Sequence, residues 1–405
     1  MKKCISCNSK NLYSIYNFGN LPLSNEFVKK EKNNKIKKYK LNILVCKKCF
    51  LVQNENIVKE NLIFNKKYLY HSSYSKLWLN HSKKLSKLLI KRFKIKKKSY
   101  VIEIASNDGY LLKNFKQKGI KHLGIEPSKS VNDIAKKSGI TTLNTFFGKK
   151  ILKSKKIERS PDLIIGLNVL AHTPNLKDFI FTLDKLMTDN SVAVFEIQYV
   201  LNIFRKLQFD TLYHEHYSYF SVTSILALLK STKISIFDVQ ETETHGGSIR
   251  IFLKKKNVIT FEENLKIGKI IKKEKKIGMT NINFYKKFKK ELENLITSNK
   301  LFFKNNKSKI IGYGAAAKAT IFCNVMELSN KNIRFIVDKN EYKQNRQIPG
   351  TNIDILSTYN LKQNNPEYLL IFPWNLKKEI INDYKYLLKN CKFLTFEPKL
   401  KITKK

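Results

Sequence analysis

Residues 99–115 read SYVIEIASNDGYLLKNF and define the fold of the central part of the chain. The apolar run SYVIEI is typical of a buried strand, turn-forming residues follow it, and the last residues begin a helix. Later segments repeat this alternation of strand and helix, namely HLGIEPS (122–128), PDLIIGLNVL (161–170) and VAVFEIQYV (192–200). The alternation predicts an α/β fold built on a parallel sheet.

The turn after this first strand has small or turn-forming residues at alternate positions behind an acidic residue. These positions are Glu103, Ala105, Asn107 and Gly109. The spacing is a degenerate form of the E/DxGxGxG loop that carries S-adenosylmethionine in class I methyltransferases, where the backbone approaches the ligand closely. A carboxylate at Glu103 would meet the cationic amino group, and Glu126, after the next strand, would accept the ribose hydroxyls. The alternative interpretation is an ordinary strand-to-helix turn.

A second turn of nucleotide-binding type follows a new strand near residue 310. Residues 312–317, GYGAAA, fit the dinucleotide pattern GxGxxG/A at Gly312 and Gly314, and Asp338 stands after a further strand. This pattern indicates NAD. However, Lys318 directly after the turn would equally suit the phosphates of another nucleotide, so the spacing leaves both ligands open. Before this region, Phe284, Phe288, Leu292 and Leu295 recur at helical spacing and predict an amphipathic connector helix.

Four of the six cysteines form two CxxC pairs, Cys4 with Cys7 and Cys46 with Cys49. Each pair can turn two thiolates toward one ion, and together they provide the four soft ligands of a tetrahedral zinc site. Because thiolates would fill all four positions, no position remains for a reactive water. The sequence therefore predicts structural Zn²⁺, and the alternative is four unrelated free thiols.

The net charge of +46 would ordinarily suggest a nucleic-acid or membrane partner. Almost all of the 78 basic residues are Lys, however, and they are spread along the chain instead of marking one patch. No apolar run is long enough for a membrane span, and MKKCISC lacks the hydrophobic core of a signal peptide. We expect a cytosolic protein without a nucleic-acid or membrane partner. The sequence does not indicate its oligomeric state.

Lysine is scarce between residues 157 and 253, and this region contains the polar stretch YHEHYSY at 213–219. Lysine enters a sequence freely only where its side chain can stay in water. A polar stretch without lysine therefore predicts a cleft that holds Tyr213, Glu215 and His216. The alternative is an edge strand with solvated histidines.

The chain resembles the sugar C-methyltransferases, which methylate a ring carbon of nucleotide-linked keto-deoxysugars. The resemblance runs almost end to end and rests on the paired CxxC motifs and a series of ordered blocks: LPLSNEF (21–27), YLYHSSYSKLWLNH (68–81), EIASNDGYLL (103–112), NVLAHTPN (168–175), YHEHYSYFS (213–221), HGGSIRIF (245–252), GYGAAAK (312–318), VDKNEYKQNRQIPG (337–350) and FPWNLKKEI (372–380). It implies a zinc-binding domain over 1–70, a class I methyltransferase domain over 71–240, and a connector helix with a Rossmann-like α/β domain over 241–405.

The resemblance also implies roles for individual residues. His216 is the general base that removes a proton next to a sugar ketone, Glu215 orients its neighbours, and Tyr213 and His172 donate hydrogen bonds to the enolate oxygen. A tyrosine of the block at 68–81, either Tyr68 or Tyr70, belongs to the same site. Asn168 joins the cofactor contacts, and the substrate contacts are His245, Arg250, Gly312, Gly314 and Lys318.

Departures from the family pattern occur at Gln198, where Pro is expected, and at Ala319 and Thr320, where Gly and Asn are expected. They leave the exact sugar open. His71 is expected to face the cleft, and His81 and His122 are expected to be structural or exposed. Two other functions stay open at this stage: an NAD-dependent oxidoreductase that uses the second turn, and a nucleic-acid methyltransferase with a zinc ribbon.

Overall fold

The computed structural model describes residues 2–33, 36–63, 71–306, 310–364, 366–386, 390–396 and 400–403. Among these residues, the strands form one four-stranded sheet and two seven-stranded sheets. One buried apolar cluster contains residues from all three sheets, for example Val52, Ile102 and Ile336. The three sheets therefore share a common core. No helix of the described ranges is both long enough and apolar enough to cross a membrane.

The N-terminal domain contains the four-stranded sheet, whose order is β1-β2-β3-β9. Its own elements are β1 (Leu12–Pro22), α1 (Lys30–Asn33), β2 (Lys38–Cys46), β3 (Val52–Asn54) and α2 (Glu60–Ile63). All paired strands of this sheet are antiparallel. The fourth strand, β9 (Ser218–Tyr219), comes from the middle of the chain and pairs with β3. It continues directly from the polar stretch at 213–217.

The central domain contains the first seven-stranded sheet. Its elements are α3 (Lys76–Arg92), β4 (Tyr100–Ile104), α4 (Leu112–Lys116), β5 (Lys121–Ile125), α5 (Lys129–Lys137), β6 (Thr142–Leu143), β7 (Leu163–Leu167), α6 (Leu176–Leu186), β8 (Val192–Gln198), α7 (Val200–Arg205), α8 (Val222–Leu229), β10 (Ile234–Thr242) and β11 (Ser248–Lys255). The strand order is β10-β11-β8-β7-β4-β5-β6, and β11 alone runs antiparallel to its neighbours. This is the topology of the class I methyltransferase fold.

The hairpin of β10 and β11 lies across the predicted domain boundary. The sequence predicts that the methyltransferase domain ends at residue 240, inside β10. Both strands belong to the central sheet, and β11 pairs with β8 from Ser248 to Leu253. The central sheet therefore continues to Lys255.

Two helices connect the central and C-terminal domains, α9 (Phe261–Ile277) and α10 (Ile282–Asn305). A capping box between Thr260 and Glu263 begins α9, and Gly278 in the left-handed conformation ends it. The predicted amphipathic connector is confirmed as α10, which buries Phe288, Leu292 and Leu295.

Glu274 fixes the connector to the central domain. Its buried carboxylate accepts hydrogen bonds from the Tyr199 hydroxyl at 2.7 Å and from the main-chain N–H groups of Val222 and Thr223 at 2.8 and 2.9 Å. These two N–H groups lie in the first turn of α8, where a carboxylate is favourable.

The C-terminal domain contains the second seven-stranded sheet. Its elements are β12 (Ile310–Tyr313), α11 (Ala317–Val325), β13 (Ile333–Asp338), β14 (Arg346–Gln347), β15 (Asp354–Ser357), α12 (Asn360–Asn364), β16 (Tyr368–Ile371), α13 (Lys377–Tyr384), β17 (Lys392–Phe396) and β18 (Leu400–Thr403). The order is β14-β15-β13-β12-β16-β17-β18, with parallel inner strands and antiparallel edges. This Rossmann-like arrangement places the second glycine turn at the carboxyl end of β12.

Candidate active site

A cavity of about 1270 Å³ lies where the three domains meet. Residues at the carboxyl ends of β4, β5, β7 and β8 line one side, and the turn after β12 lines the opposite side. The N-terminal domain contributes Asn25 and Glu60 to the wall. Ligands of open α/β sheets bind at the carboxyl ends of the strands, and here two such ends face one space.

The turn after β4 has the conformation expected of a ligand-binding loop. Ala105 and Asn107 both line the cavity and adopt positive φ angles of 56° and 49°. Glu126 faces the same space, and its two carboxylate oxygens accept the N–H groups of Asn107 at 3.0 Å and Ser128 at 2.8 Å. Burial raises the pKa of Glu126 to about 7. The carboxyl therefore changes charge near neutral pH.

Two of the predicted cofactor residues lie behind this turn. Glu103 is fully buried in β4 and does not belong to the cavity wall. Burial raises the pKa of Glu103 well above its ordinary value, and its predicted contact with a cationic group of the cofactor stays a prediction. Gly109 is also outside the wall, and a Cβ there would lie 2.8 Å from Ile140. The absence of a side chain at Gly109 lets the turn pack closely against Ile140. Asn168, in contrast, lines the cavity.

His216 and Tyr213 form a hydrogen-bonded pair on the cavity wall. The Tyr213 hydroxyl lies 2.9 Å from Nε2 of His216, and Nδ1 of His216 lies 3.0 Å from the carbonyl oxygen of Thr211. Because a carbonyl can only accept, Nδ1 carries the proton. Burial and the neighbouring His172 hold the pKa of His216 well below 6.5. The ring is therefore neutral at pH 7, and its Nε2 lone pair accepts the Tyr213 hydroxyl.

His172 lies beside this pair, with its ring centre 4.7 Å from that of His216. Its Nδ1 is 2.7 Å from the carbonyl oxygen of Glu215, so this nitrogen also carries the proton. Burial lowers the pKa of His172. A neutral ring of this tautomer has a lone pair on Nε2 and cannot donate from it. This tautomer does not favour the predicted role of His172 as a donor to an enolate oxygen, and the roles of His172 and Tyr213 stay predictions.

Glu215 also lines the cavity, and in the sequence it lies between His214 and His216. Its carboxylate accepts hydrogen bonds from Asn25 of the N-terminal domain. His214 is fully buried and bonds through Nε2 to the carbonyl oxygen of Tyr39, away from the cavity wall. Tyr68 and Tyr70, the two candidates from the block at 68–81, lie outside the described residues.

The predicted substrate residues divide into two groups. His245, Gly314 and Lys318 line the cavity. Nζ of Lys318 lies 3.4 Å from the centre of the Trp374 ring and donates to Oδ1 of Asn375 at 2.9 Å. Lys318 thus reaches from α11 of the C-terminal domain toward the histidines. Burial lowers the pKa of His245 to about 4, with a further contribution from Lys318.

Arg250 and Gly312 lie outside the cavity wall, so the lining gives no support to their predicted substrate contacts. Arg250 donates from Nε and Nη2 to Glu196 Oε2 at 3.0 and 2.7 Å, forming a buried ion pair. The alternation of β11 turns its side chain into the sheet layer beneath the cavity. At Gly312, a Cβ would lie 2.5 Å from Ile336, so this glycine allows close packing of β12 on β13.

Several cavity residues were not singled out in the sequence. His81, expected to be structural or exposed, lines the cavity together with Trp78 and lies 2.9 Å from Glu196 Oε1. Burial raises the pKa of Glu196, but His81 and Arg250 outweigh it and hold the value at about 2. Asn25 and Lys343 also belong to the wall. Asn25, Trp78 and Lys343 fall within sequence blocks shared with the family, and this position in the blocks is the feature by which they could have been found.

The four predicted cysteine ligands lie together at one end of the N-terminal domain. The sulfur atoms of Cys4, Cys7, Cys46 and Cys49 all lie within 4.8 Å of one another. The Cys4 to Cys49 and Cys7 to Cys46 sulfur distances are 3.5 and 3.6 Å. Four thiolates at about 2.3 Å from a central Zn²⁺ would be roughly 3.8 Å apart, so the cluster fits a tetrahedral zinc ion.

Comparisons with known proteins follow the division into three domains. Residues 4–64 match the family described as "Putative zinc binding domain", residues 77–232 match "Methyltransferase domain", and residues 243–398 match "C-methyltransferase C-terminal domain". The chain is 26% identical over 396 residues to C-methyltransferase NovU of Streptomyces niveus, and the match covers 96% of this chain and 93% of NovU.

Two solved structures resemble part of the chain. An S-adenosylmethionine-dependent methyltransferase from Clostridium acetobutylicum is 12% identical, with a TM-score of 0.36, over 44% of this chain and 92% of that one. Magnesium protoporphyrin IX methyltransferase from Synechocystis, with bound S-adenosylmethionine, is 14% identical, with a TM-score of 0.33, over 44% and 81% of the two chains.

Proposed function

Because the chain belongs to the sugar C-methyltransferase family, we propose that it transfers a methyl group from S-adenosylmethionine to a carbon of a nucleoside-diphosphate 4-keto-deoxysugar. The acceptor is the carbon next to the ketone, C3 of the sugar. His216 is the general base that generates the carbon nucleophile.

The observation that carries this proposal is a single cavity lined by residues of different domains. Ala105, Asn107 and Glu126 of the central domain, which we call the cofactor wall, line it together with His216, Tyr213 and Lys318. A pocket for one ligand usually has a volume of about 300–1,000 Å³. The larger volume here suits two ligands that meet at the histidines, which a transfer reaction requires.

The residues of the cofactor wall suit S-adenosylmethionine. Ala105 and Asn107 have small or turn-forming side chains in a left-handed backbone, so a ligand can approach the main chain closely. Asn168 lies on the same side, and the Glu126 carboxylate is an acceptor for ribose hydroxyls. When bound there, the cofactor supplies an electrophilic methyl group.

The chain's own contribution to the reaction is proton transfer. A ketone acidifies the neighbouring C–H bond, and the neutral Nε2 of His216 takes that proton, while the bonding electrons pass into the enolate. The Tyr213 hydroxyl, which donates to Nε2 at 2.9 Å without substrate, turns to the developing enolate oxygen. The low pKa of His216 keeps its lone pair available at neutral pH.

Two lysines of the C-terminal domain supply the charge that a sugar nucleotide needs. Lys318 and Lys343 both line the cavity, and Nζ of Lys343 donates to the carbonyl oxygen of Ala315 in the glycine turn at 2.7 Å. Two ammonium groups beside this turn suit a diphosphate. The glycine pattern itself gives little support to NAD. A Cβ at Gly314 would meet Pro373 at 2.6 Å, so the space left by this glycine is filled by protein.

Equilibrium binding tests the proposal. S-adenosylhomocysteine and a thymidine-diphosphate 4-keto-6-deoxysugar should each bind the purified protein, and methyl transfer should follow when S-adenosylmethionine replaces its product. NAD is the comparison ligand. Tight binding of NAD without binding of S-adenosylhomocysteine would overturn the proposal in favour of a sugar-nucleotide oxidoreductase.

A further inference from the structure

Residues 21–28, LPLSNEFV, form a segment that touches all three domains, and we call it the strap. It leaves the end of β1 and runs between the C-terminal domain and the loop that carries His216. Leu21, Leu23 and Phe27 are buried, which fixes its path. The hydrogen bonds of this segment to its neighbours serve neither the cysteine cluster nor a predicted contact with substrate.

The C-terminal domain holds the strap by its main chain. The Thr320 hydroxyl donates to the carbonyl oxygen of Ser24 at 2.8 Å. Nη1 of Arg346 donates to the carbonyl oxygen of Phe27 at 3.1 Å, and the N–H of Gln347 donates to that of Val28 at 2.9 Å. Thr320 lies on α11, two positions after Lys318, so the helix that faces the cavity also anchors the strap.

On its other side the strap holds the catalytic loop through one residue. The main-chain N–H and the side-chain Nδ2 of Asn25 both donate to Oε1 of Glu215, at 3.2 and 3.3 Å. Glu215 is 2% exposed, so its carboxylate depends on donors from the protein. The carbonyl oxygen of the same residue accepts Nδ1 of His172 at 2.7 Å. Asn25, Glu215 and His172 therefore form a continuous hydrogen-bonded series along the cavity wall.

We infer that Asn25 is a positioning residue for the reaction, because it fixes Glu215 and thereby the orientation of the His172 ring. The expected effect on the reaction rate rests on the proposed function, whereas the expected effect on the orientation of the His172 ring does not. Removing a donor from a buried carboxylate leaves that charge poorly compensated, so the side chain and its loop must shift. A displacement of about 1 Å in an active site can reduce the rate about 10²-fold.

The substitution Asn25→Asp tests this inference because it keeps the shape and turns the donor into an acceptor. At pH 8 the introduced carboxylate repels the carboxylate of Glu215, and protonation of the introduced carboxyl as the pH falls removes this repulsion. The protonated carboxyl then donates again. The other ionisable groups that face Glu215 are His172 from the connection after β7, His214, Tyr217 and Tyr219 from its own loop, and Glu60 beyond Tyr217.

The kinetic readout is proton exchange at C3 of the keto sugar in D₂O with S-adenosylhomocysteine bound. We expect the exchange rate constant of Asn25→Asp to be about 10²-fold below wild type at pH 8, with little change in KM. The ratio to wild type should approach one as the pH falls to 6. A purely structural lesion would give a ratio that does not depend on pH.

Asn42→Asp is the matched control. Asn42 is a buried asparagine of the same domain, and its Nδ2 lies 3.4 Å from Oε2 of Glu55, outside the cavity wall. The same chemical change should there leave the exchange rate near that of wild type. An equal, pH-dependent loss in both variants would overturn the assignment of Asn25.

A second readout needs no substrate and therefore separates this inference from the proposed function. In ¹⁵N-histidine-labelled protein, the imidazole signals of His172, assigned as those missing in His172→Asn, should shift in Asn25→Asp at pH 8 and return toward wild type at pH 6. Asn42→Asp should leave them in place. If Asn25→Asp does not fold, Asn25→Ala should shift the same signals at both pH values. Unchanged His172 signals would overturn the inference, even if the protein methylates keto sugars as proposed.

Discussion

The rings of His172 and His216 meet edge to face, with their centres 4.7 Å apart and an angle of 60° between their planes. Each ring directs Nδ1 to a main-chain carbonyl, so each presents the lone pair of Nε2. The site thus contains two neutral imidazoles of the same tautomer, and each could act as a base. Tyr213 favours His216, because its hydroxyl lies 2.9 Å from that Nε2.

Replacement of the base should abolish proton exchange before any methyl transfer. With a 4-keto-6-deoxy nucleotide sugar and S-adenosylhomocysteine in D₂O, wild-type protein should introduce deuterium at C3. His216→Asn should lower both exchange and methylation by roughly 10²–10⁴-fold, the usual contribution of a positioned base. Deuterium incorporation is followed by mass spectrometry.

His214→Asn is the control for this experiment, because His214 is buried one position from Glu215 and points to Tyr39. It should reduce exchange far less. Near-normal exchange in His216→Asn together with complete loss in His172→Asn would identify His172 as the base.

The acidic limit of the reaction, which is the pH below which the rate of proton exchange falls, should lie below pH 6.5. Burial holds the pKa of His216 well below that value, and a base works only above its own pKa, so exchange should stay nearly constant as the pH falls from 8 to 6. Lys318 contributes to this low pKa, so Lys318→Met should move the limit toward higher pH. A wild-type limb centred on pH 6.5 would contradict the prediction.

Cofactor affinity should depend on the ionisation of Glu126. Its pKa is raised to about 7, and ribose hydroxyls favour the charged carboxylate as acceptor. Calorimetric binding of S-adenosylhomocysteine should therefore weaken as the pH falls from 8 to 6. Glu126→Gln should bind more weakly at pH 8 and lose this contribution to the pH dependence, while sugar-nucleotide affinity stays the same. If Glu126→Gln binds S-adenosylhomocysteine as wild type does, the cofactor lies elsewhere.

Replacement by methionine should affect stability at Arg250 and sugar-nucleotide binding at Lys318. Arg250→Met removes the arginine partner of the buried Glu196, which should cost about 3–5 kcal/mol of stability. Lys318→Met should leave the melting temperature nearly unchanged and weaken sugar-nucleotide binding by roughly 10- to 100-fold, the value of a hydrogen bond to a charged group. Differential scanning calorimetry and titration calorimetry measure the two effects. The reverse pattern would restore Arg250 as a substrate ligand.

The purified protein should contain about one zinc ion per chain, measured by emission spectroscopy. Because zinc binding is coupled to folding, Cys46→Ala should lower the yield of soluble protein and its melting temperature. Cys323→Ala is a suitable control, since Cys323 is an equally buried cysteine that lies on α11, away from the cluster. Metal-free protein of normal stability would disprove a structural role for the ion.

Much of the fold could be predicted from local sequence. The strand and turn at 99–109 predict the central sheet, and the two CxxC pairs predict the cysteine cluster. Each of these motifs lies within a few residues of sequence. The pairing of β11 with β8 could not be predicted, since β8 lies some fifty residues earlier and no local pattern records that pairing.

The candidate site was predicted less completely, for a related reason. His216 and Glu215 were singled out because they lie in a polar stretch without lysine, and Lys318 because it follows the second glycine turn; all three line the cavity. The buried ion pair of Arg250 could not be predicted, since an arginine in a glycine-rich block looks the same whether it meets a ligand or a buried glutamate. Asn25 was missed altogether, because its partner Glu215 lies 190 positions away in the chain.

The strand β9 has a consequence for how the protein is made. Ser218 and Tyr219 complete the sheet that begins at Leu12, by pairing with Gln53 and Val52. During synthesis the first three strands of that sheet leave the ribosome long before their fourth partner exists. Until the segment at 213–219 has been synthesised, this edge of β3 has no partner strand. A fragment that ends before residue 218 would leave that edge open to pairing with other chains.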